Sequence, residues 1–305
     1  MVDKGTHSYL SDIRNENIQI FINGELYPRQ EASISVFDSG FLLGDGVWEG
    51  IRLLNDHMIF LEEHLERLYY GAEKLAIDIG HTKEELTRFI QETLDANNME
   101  TGVHIRLIIS RGLKKTPYQH PNANVGGSSV VIIPEYKTAD VKVNKNGIRL
   151  ITVNTRRGTQ DSQDPRLNTL SKHNCISACI EVDRAGVDEG IMLDVNGNVS
   201  TCNSTNFFIF REGEIWTSTG EFCLPGVTRK AVINLCRGNK ISIKEKNFSI
   251  ADVHSANEAF VTGTFAGIIP AVEIDGKAIS GGVRGEITHM LQDLYRYKLD
   301  QLYPR

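Results

Sequence analysis

The chain of 305 residues is short of several things that would have assigned it quickly. It has no P-loop, no GxGxxG following a strand and no GxSxG, so the common nucleotide-cradling and serine-nucleophile motifs are absent. Its five cysteines, Cys175, Cys179, Cys202, Cys223 and Cys236, include no CxxC pair. That argues against a zinc site and against a disulfide framework, and no metal is expected. Cys175 and Cys179 stand four apart, the spacing of two small neighbours on one helix face. No apolar run approaches membrane-spanning length, and the first 21 residues lack the apolar core of a signal peptide. Positive charge is not in excess either. A formal net charge of -6 speaks against nucleic acid or an anionic membrane as the main partner. A small anionic ligand stays open, because net charge says nothing about one pocket. Together these absences fit a reducing cytoplasm.

What is present is an ordinary globular composition on a chain long enough for two domains. Regular structure starts at Ile18–Ile22, followed by Asn23-Gly24, a hairpin turn; residues 1–15 read as a loose arm. Residues 33–37 alternate, and Asn55-Asp56 suggests a second hairpin. Leu61, Leu65, Leu68, Ala72 and Leu75 recur at helical spacing. A helix over 82–97 opens on Thr82 with Glu85 three residues on, the capping-box pattern. Strands are expected at 103–110 and 129–134, flanking a long Pro/Gly/Asn-rich loop at 112–128 of the kind that borders a site. The second half reads as strands at 148–154, 189–194, 205–211, 241–246, 258–262 and 268–274. Helices are expected before Ala185-Gly186, from Thr228, and over 284–299. Many strands with few helices between them predict α+β, divided as 1–136, a polar linker 137–147, and 148–305.

Three segments carry the chemistry. Phe37 to Arg52 packs four glycines into a loop between strands. His64-Leu-Glu-Arg67-Leu puts an arginine on a helix otherwise spaced for burial. Leu224-Pro-Gly-Val-Thr-Arg229 is a glycine turn entering a helix, where backbone N–H groups and the helix dipole favour an anion. In this order, and with Thr262-Gly263-Thr264 after a strand, they resemble the signatures of the class-IV, fold-type-IV aminotransferases that use pyridoxal 5'-phosphate (PLP), the branched-chain and D-amino-acid enzymes among them.

The resemblance implies a small N-terminal α/β sandwich domain, a larger C-terminal domain with a barrel-like β core, and a homodimer. It implies PLP held at its phosphate by Arg67, Val227, Thr228, Gly263 and Thr264. It also implies that His104 and Arg106 of Val103-His-Ile-Arg-Leu107 face an amino acid or 2-oxo acid substrate. An arginine in mid-strand suits a carboxylate, whereas a lone histidine there could equally be accommodated without a role.

Two positions depart from the family pattern. A PLP transaminase needs a lysine to bind the aldehyde as a Schiff base and to shuttle a proton. The family places it at the end of a strand, thirteen residues before a Glu in the next helix; counted back from Glu181, that position is Asn168. Asparagine cannot do this. Four residues on stands Lys172, where similar enzymes carry a tyrosine near the ring oxygen of PLP. Migration of the lysine's role to Lys172 is the favoured reading, with Arg67 and Arg106 supplying the nearby positive charge that a reactive amine needs. The second departure is Thr201, where the family has a Glu that keeps the pyridine nitrogen protonated. A hydroxyl cannot hold that proton as a carboxylate does, so a poorer electron sink and slower transamination are expected. The expected function is amino-group transfer from an amino acid, branched-chain by resemblance, to a 2-oxo acid. The alternatives are a PLP lyase or racemase on the same fold and a non-catalytic PLP-binding dimer.

Overall fold

A computed structural model describes residues 12–137 and 141–304; residues 1–11, 138–140 and 305 lie outside the described residues, and with them most of the expected N-terminal arm. The chain divides into two compact units. The first comprises Ser11–Lys137 together with Leu167–Lys172. The second holds the rest of the described chain. The expected α+β class is what the chain adopts, and its larger sheet is curled into a half-barrel.

The N-terminal unit is built on one six-stranded antiparallel sheet. Its elements are β1 (Gln19–Ile22), β2 (Glu25–Pro28), α1 (Ser39–Leu43), β3 (Gly46–Leu54), β4 (His57–Met58), α2 (Leu61–Lys74), α3 (Lys83–Ala96), β5 (Val103–Ser110) and β6 (Ser129–Tyr136). The strands run in the order β2-β1-β6-β5-β3-β4. Asn23-Gly24 closes the first hairpin with both residues at positive φ, which a tight two-residue turn requires. The Thr82 hydroxyl and the Glu85 carboxylate form the expected capping box at the start of α3. Leu65, Leu68 and Ala72 of α2 are buried against the sheet with Leu86, Ile90 and Leu94 of α3, making one apolar core. Residues 33–37 form no strand despite their alternation. Ile34, Val36 and Phe37 are exposed there, with no neighbouring strand to pair with among the described residues.

The second unit contains α4 (Val141–Asn146), β7 (Ile148–Thr152), α5 (Gln160–Gln163), α6 (His173–Ala185), β8 (Glu189–Leu193), β9 (Val199–Cys202), β10 (Asn206–Arg211) and β11 (Glu214–Thr217). It continues with α7 (Val227–Gly238), β12 (Ile243–Glu245), α8 (Ile250–His254), β13 (Glu258–Gly263), β14 (Gly267–Ile274), β15 (Lys277–Ala278) and α9 (Glu286–Leu302). A short helix thus occupies part of the segment read as a linker. The sheet runs β12-β11-β10-β13-β14-β7-β8-β9, with β15 on β14. The β14–β7 and β7–β8 pairs are parallel and most others antiparallel. Glu181 of α6 accepts hydrogen bonds from the backbone and side chains of Asn154 and Thr155, which ties that helix to the end of β7. Among the described residues, no helix is long and apolar enough to cross a membrane.

Candidate active site

The expected site residues fall into two groups, one in each unit. Within the N-terminal unit the organising residue is Trp48, which the sequence reading did not single out. It lies in mid-β3, where side chains alternate between faces. Val47, Glu49 and Ile51 are buried on one face, while Trp48 and Arg52 stand half-buried on the other. The Arg106 guanidinium lies 3.8 Å from the centroid of the Trp48 ring, and the Lys172 ammonium nitrogen 5.4 Å from it. Burial holds the Arg106 guanidinium below its ordinary range, against an opposing pull from Glu135. His104 pairs with Arg52 in the β3–β5 register, and its ring reaches diagonally over Gly50, so closely that a Cβ there would meet its Nε2 at 2.8 Å. Lys172, Arg106 and His104 therefore share one face with Trp48, and the first two share its ring.

Asn168 is zipped onto the same strand. Trp48 N donates to Asn168 O at 3.0 Å, Trp48 Nε1 to Thr169 O at 3.1 Å, and Leu170 N to Gly46 O at 2.9 Å. The Asn168 amide returns a bond from Nδ2 to Trp48 O at 2.6 Å, and its Oδ1 accepts from Lys172 Nζ at 2.9 Å. These bonds explain why Leu167–Lys172 groups with the N-terminal unit although the chain on either side of it does not.

Arg67 lies on the other face of β3. Its Nε and Nη2 donate to Glu49 Oε1 and Oε2 at 2.8 and 2.7 Å, a forked ion pair around a carboxylate that is fully buried. His64 Nδ1 lies 2.6 Å from Glu49 Oε2. Burial works against the Glu49 charge, but the Arg67 charge and its hydrogen bonds, with His64, outweigh it and hold the carboxyl below its ordinary value. The helical spacing of α2 identified Arg67; nothing local marked Glu49, eighteen residues earlier, as its partner.

In the second unit a chain of contacts joins the other expected residues. Thr201 Oγ1 donates to Thr205 O at 2.7 Å. Its proton is spent on that carbonyl, so toward any further group the oxygen offers lone pairs only. Thr205 Oγ1 in turn donates to Glu189 at 2.6 Å, and Ser204 Oγ to the other carboxylate oxygen at 2.7 Å. Burial pushes the Glu189 carboxyl up to about 7. Thr205 also packs under Gly263, where an added Cβ would lie 3.3 Å from its Cγ2. Asn206, next in sequence, pairs with Thr262 and donates to Leu224 O at 3.1 Å. Gly226 sits against its amide so tightly that a Cβ would lie 2.1 Å from Oδ1.

Two features of this region suit a phosphate. The twelve-residue helix α7 starts from Gly226 with no side-chain cap, leaving the N–H groups of its first turn, with Val227 and Thr228, for another acceptor. The Thr262 hydroxyl is buried and has no hydrogen-bond partner among the described residues. An uncapped helix start and an orphaned hydroxyl beside a glycine strand end fit a phosphorylated cofactor.

An antiparallel sheet carrying a Trp–Arg–Lys cluster and a curled sheet ending in a phosphate-type cradle define a fold-type-IV protein. Residues 46–274 match the model of the family described as amino-transferase class IV, and the chain belongs to that family. It is 37% identical over 286 residues, 94% of its length, to branched-chain-amino-acid aminotransferase-like protein 2 of Arabidopsis thaliana. The chain spans about half the length, 51%, of that relative. It is 36% identical to a putative branched-chain-amino-acid aminotransferase of Methanocaldococcus jannaschii, covering 92% of this chain and 96% of that one. Among solved structures, the branched-chain aminotransferase of Thermoproteus uzoniensis with norvaline superposes with a TM-score of 0.85 at 29% identity, covering 94% and 96% of the two chains. Another branched-chain amino acid aminotransferase, solved with pyridoxamine 5'-phosphate, superposes with a TM-score of 0.88 at 27% identity over the same shares of the two chains.

Proposed function

We propose that this chain is a PLP-dependent aminotransferase that moves an amino group between an amino acid, branched-chain by its likeness to the named relatives, and a 2-oxo acid, with Lys172 as its catalytic residue. The observation that carries this reading is the 2.9 Å bond that sets the Lys172 amine on the side chain of Asn168, the position where the family's lysine is expected. When bound, PLP supplies an aldehyde that exchanges amines and a ring that takes up the electrons of a broken Cα–H bond.

The chain's own residues supply the rest. Lys172 would hold the cofactor through its amine and, with that place given over to the substrate amine, its freed Nζ would take and return the substrate Cα proton. Arg106, held 3.8 Å from the centroid of the Trp48 ring, would bind a substrate carboxylate, with His104 beside it on the same strand. The Val227 and Thr228 N–H groups, the Thr228 and Thr264 hydroxyls and the Gly263 backbone would hold the phosphate. Arg67 adds a further cation, aimed by Glu49. Thr201 would face the ring nitrogen and, with its own proton on Thr205 O, would offer that nitrogen lone pairs only. A homodimer is part of the proposal. Ile34, Val36, Phe37, Phe41, Leu43 and Leu113 are exposed around the Asp38–Leu113 bridge, an apolar surface of the kind an interface covers.

Borohydride reduction of the PLP-loaded protein followed by peptide mass mapping tests the assignment. A label on Lys172, together with amino transfer that requires an added 2-oxo acid, is the expected result. Bound cofactor without any lysine label would favour the non-catalytic dimer. Release of a 2-oxo acid product with no acceptor present would favour a lyase.

A further inference from the structure

The reading of Lys172 leaves open why an asparagine, of all side chains, stands at 168. We infer that Asn168 is a positioning residue, whose carboxamide fixes the Lys172 amine in place without fixing its proton. This rests on the reading of Lys172 as the reactive amine.

The amide cannot be turned the other way. Its partner at 2.6 Å is the Trp48 carbonyl, which only accepts, so Nδ2 must face it and Oδ1 must face Lys172. The amide is anchored as well as oriented. Asn168 is 5% exposed, and the three other bonds between Trp48, Gly46 and residues 168–170 hold its backbone to β3. The packing beneath is equally close: a Cβ on Gly46 would lie 2.4 Å from Ile109 O and 2.6 Å from Leu170 Cδ1. Lys172 leaves this anchored segment just before α6 begins at His173, and its flexible stem would otherwise let the amine roam. Oδ1 and the Trp48 ring hold it from two sides.

An amide oxygen accepts an N–H from the ammonium and from the neutral amine alike. With one N–H on Oδ1, the lone pair of the neutral amine points away from Asn168. A carboxylate at the same place would instead hold the ammonium form and suppress the nucleophile. Of the common side chains of this size, only asparagine both donates to the Trp48 carbonyl and accepts neutrally from Lys172. The charged group that shares the indole with Lys172 is Arg106, from β5; it repels the ammonium and is unchanged by substitution at 168.

The test compares wild type with Asn168→Asp and Asn168→Ser. The first puts charge beside the amine; the second can still donate to the Trp48 carbonyl but offers a shorter, displaced acceptor. Two readouts are independent of turnover. One is the pH dependence of trace acetylation of Lys172 in the cofactor-free chain, read by peptide mass spectrometry. The other is the rate of borohydride-trapped labelling of Lys172 with PLP bound. Asn168→Asp is expected to raise the midpoint for Lys172 by about 1–3 pH units and to slow its acetylation at pH 7 by tenfold or more. Asn168→Ser is expected to leave the midpoint near that of wild type while slowing trapping by about tenfold. If Asn168→Asp does not fold, as judged by circular dichroism, the serine variant decides. Wild-type labelling of Lys172 that is unchanged in rate and midpoint in the folded variants would overturn the role of Asn168 alone. No label on Lys172 in the wild type would instead remove the reading beneath it.

Discussion

Truncating Arg67 to alanine strips the forked partner from Glu49 and leaves a buried carboxylate with His64 as its remaining partner among the described residues. Glu49 is fully buried and takes hydrogen bonds on both oxygens from Arg67, at 2.8 and 2.7 Å. Removing one partner of a buried pair costs about 3–5 kcal/mol, because the remaining charge can neither reach water nor find a counter-ion. That is a large part of the roughly 5–15 kcal/mol by which a domain is stable. The chain has two tryptophans, Trp48 in the N-terminal unit and Trp216 in the other. Urea unfolding of the cofactor-free protein in a Trp216→Phe background therefore reports on the unit that holds the pair. Arg67→Lys, which restores the charge but not the fork, is expected to lose less.

The pH dependence gives a second reading. The folded Glu49 carboxyl is held below its ordinary value of 4.5, so its stabilisation is present above that pH and is lost as pH falls through the folded value. That acid-side loss should be absent in Arg67→Ala. A loss of less than about 1 kcal/mol, with an unchanged acid limb, would refute the view that Glu49 depends on Arg67. Because the assay contains no cofactor, this structural role is separated from any role of Arg67 toward phosphate.

Glu189 should show the opposite sign. Its carboxyl is raised from 4.5 to about 7, so the unfolded chain releases the proton first and stability falls as pH rises between those values. The loss amounts to about 3 kcal/mol at most and should vanish in Glu189→Gln, measured as the difference between the two proteins' urea curves at pH 5 and pH 8. Gly226→Ala would press a methyl to 2.1 Å from the buried Asn206 amide. It is expected to cost about 1–3 kcal/mol and to weaken PLP binding by displacing the start of α7, checked by thermal unfolding and by cofactor titration. An unchanged affinity would detach that helix start from the phosphate.

Local chemistry made much of this molecule readable in advance. The Asn23-Gly24 turn, the Thr82/Glu85 capping box and the helical recurrence of Leu65, Leu68 and Ala72 depend on residues within a turn or two of one another, and each formed as expected. The order of the glycine loop, the His64–Arg67 element and the Leu224–Arg229 turn was enough to indicate the family and its fold. The alternation at 33–37 misled, because a strand needs a pairing partner and those residues form no strand pair among the described residues. The pairing of Arg67 with Glu49, the spending of the Thr201 proton on Thr205, and the hold of Trp48 on both Arg106 and Lys172 were decided by the fold. So was the position of residues 167–172 on β3, reached from Trp48 across some 120 residues of chain. A sequence states which groups are available. Only the packed chain decides which donor meets which acceptor, since buried polar groups must find partners wherever the strands bring them.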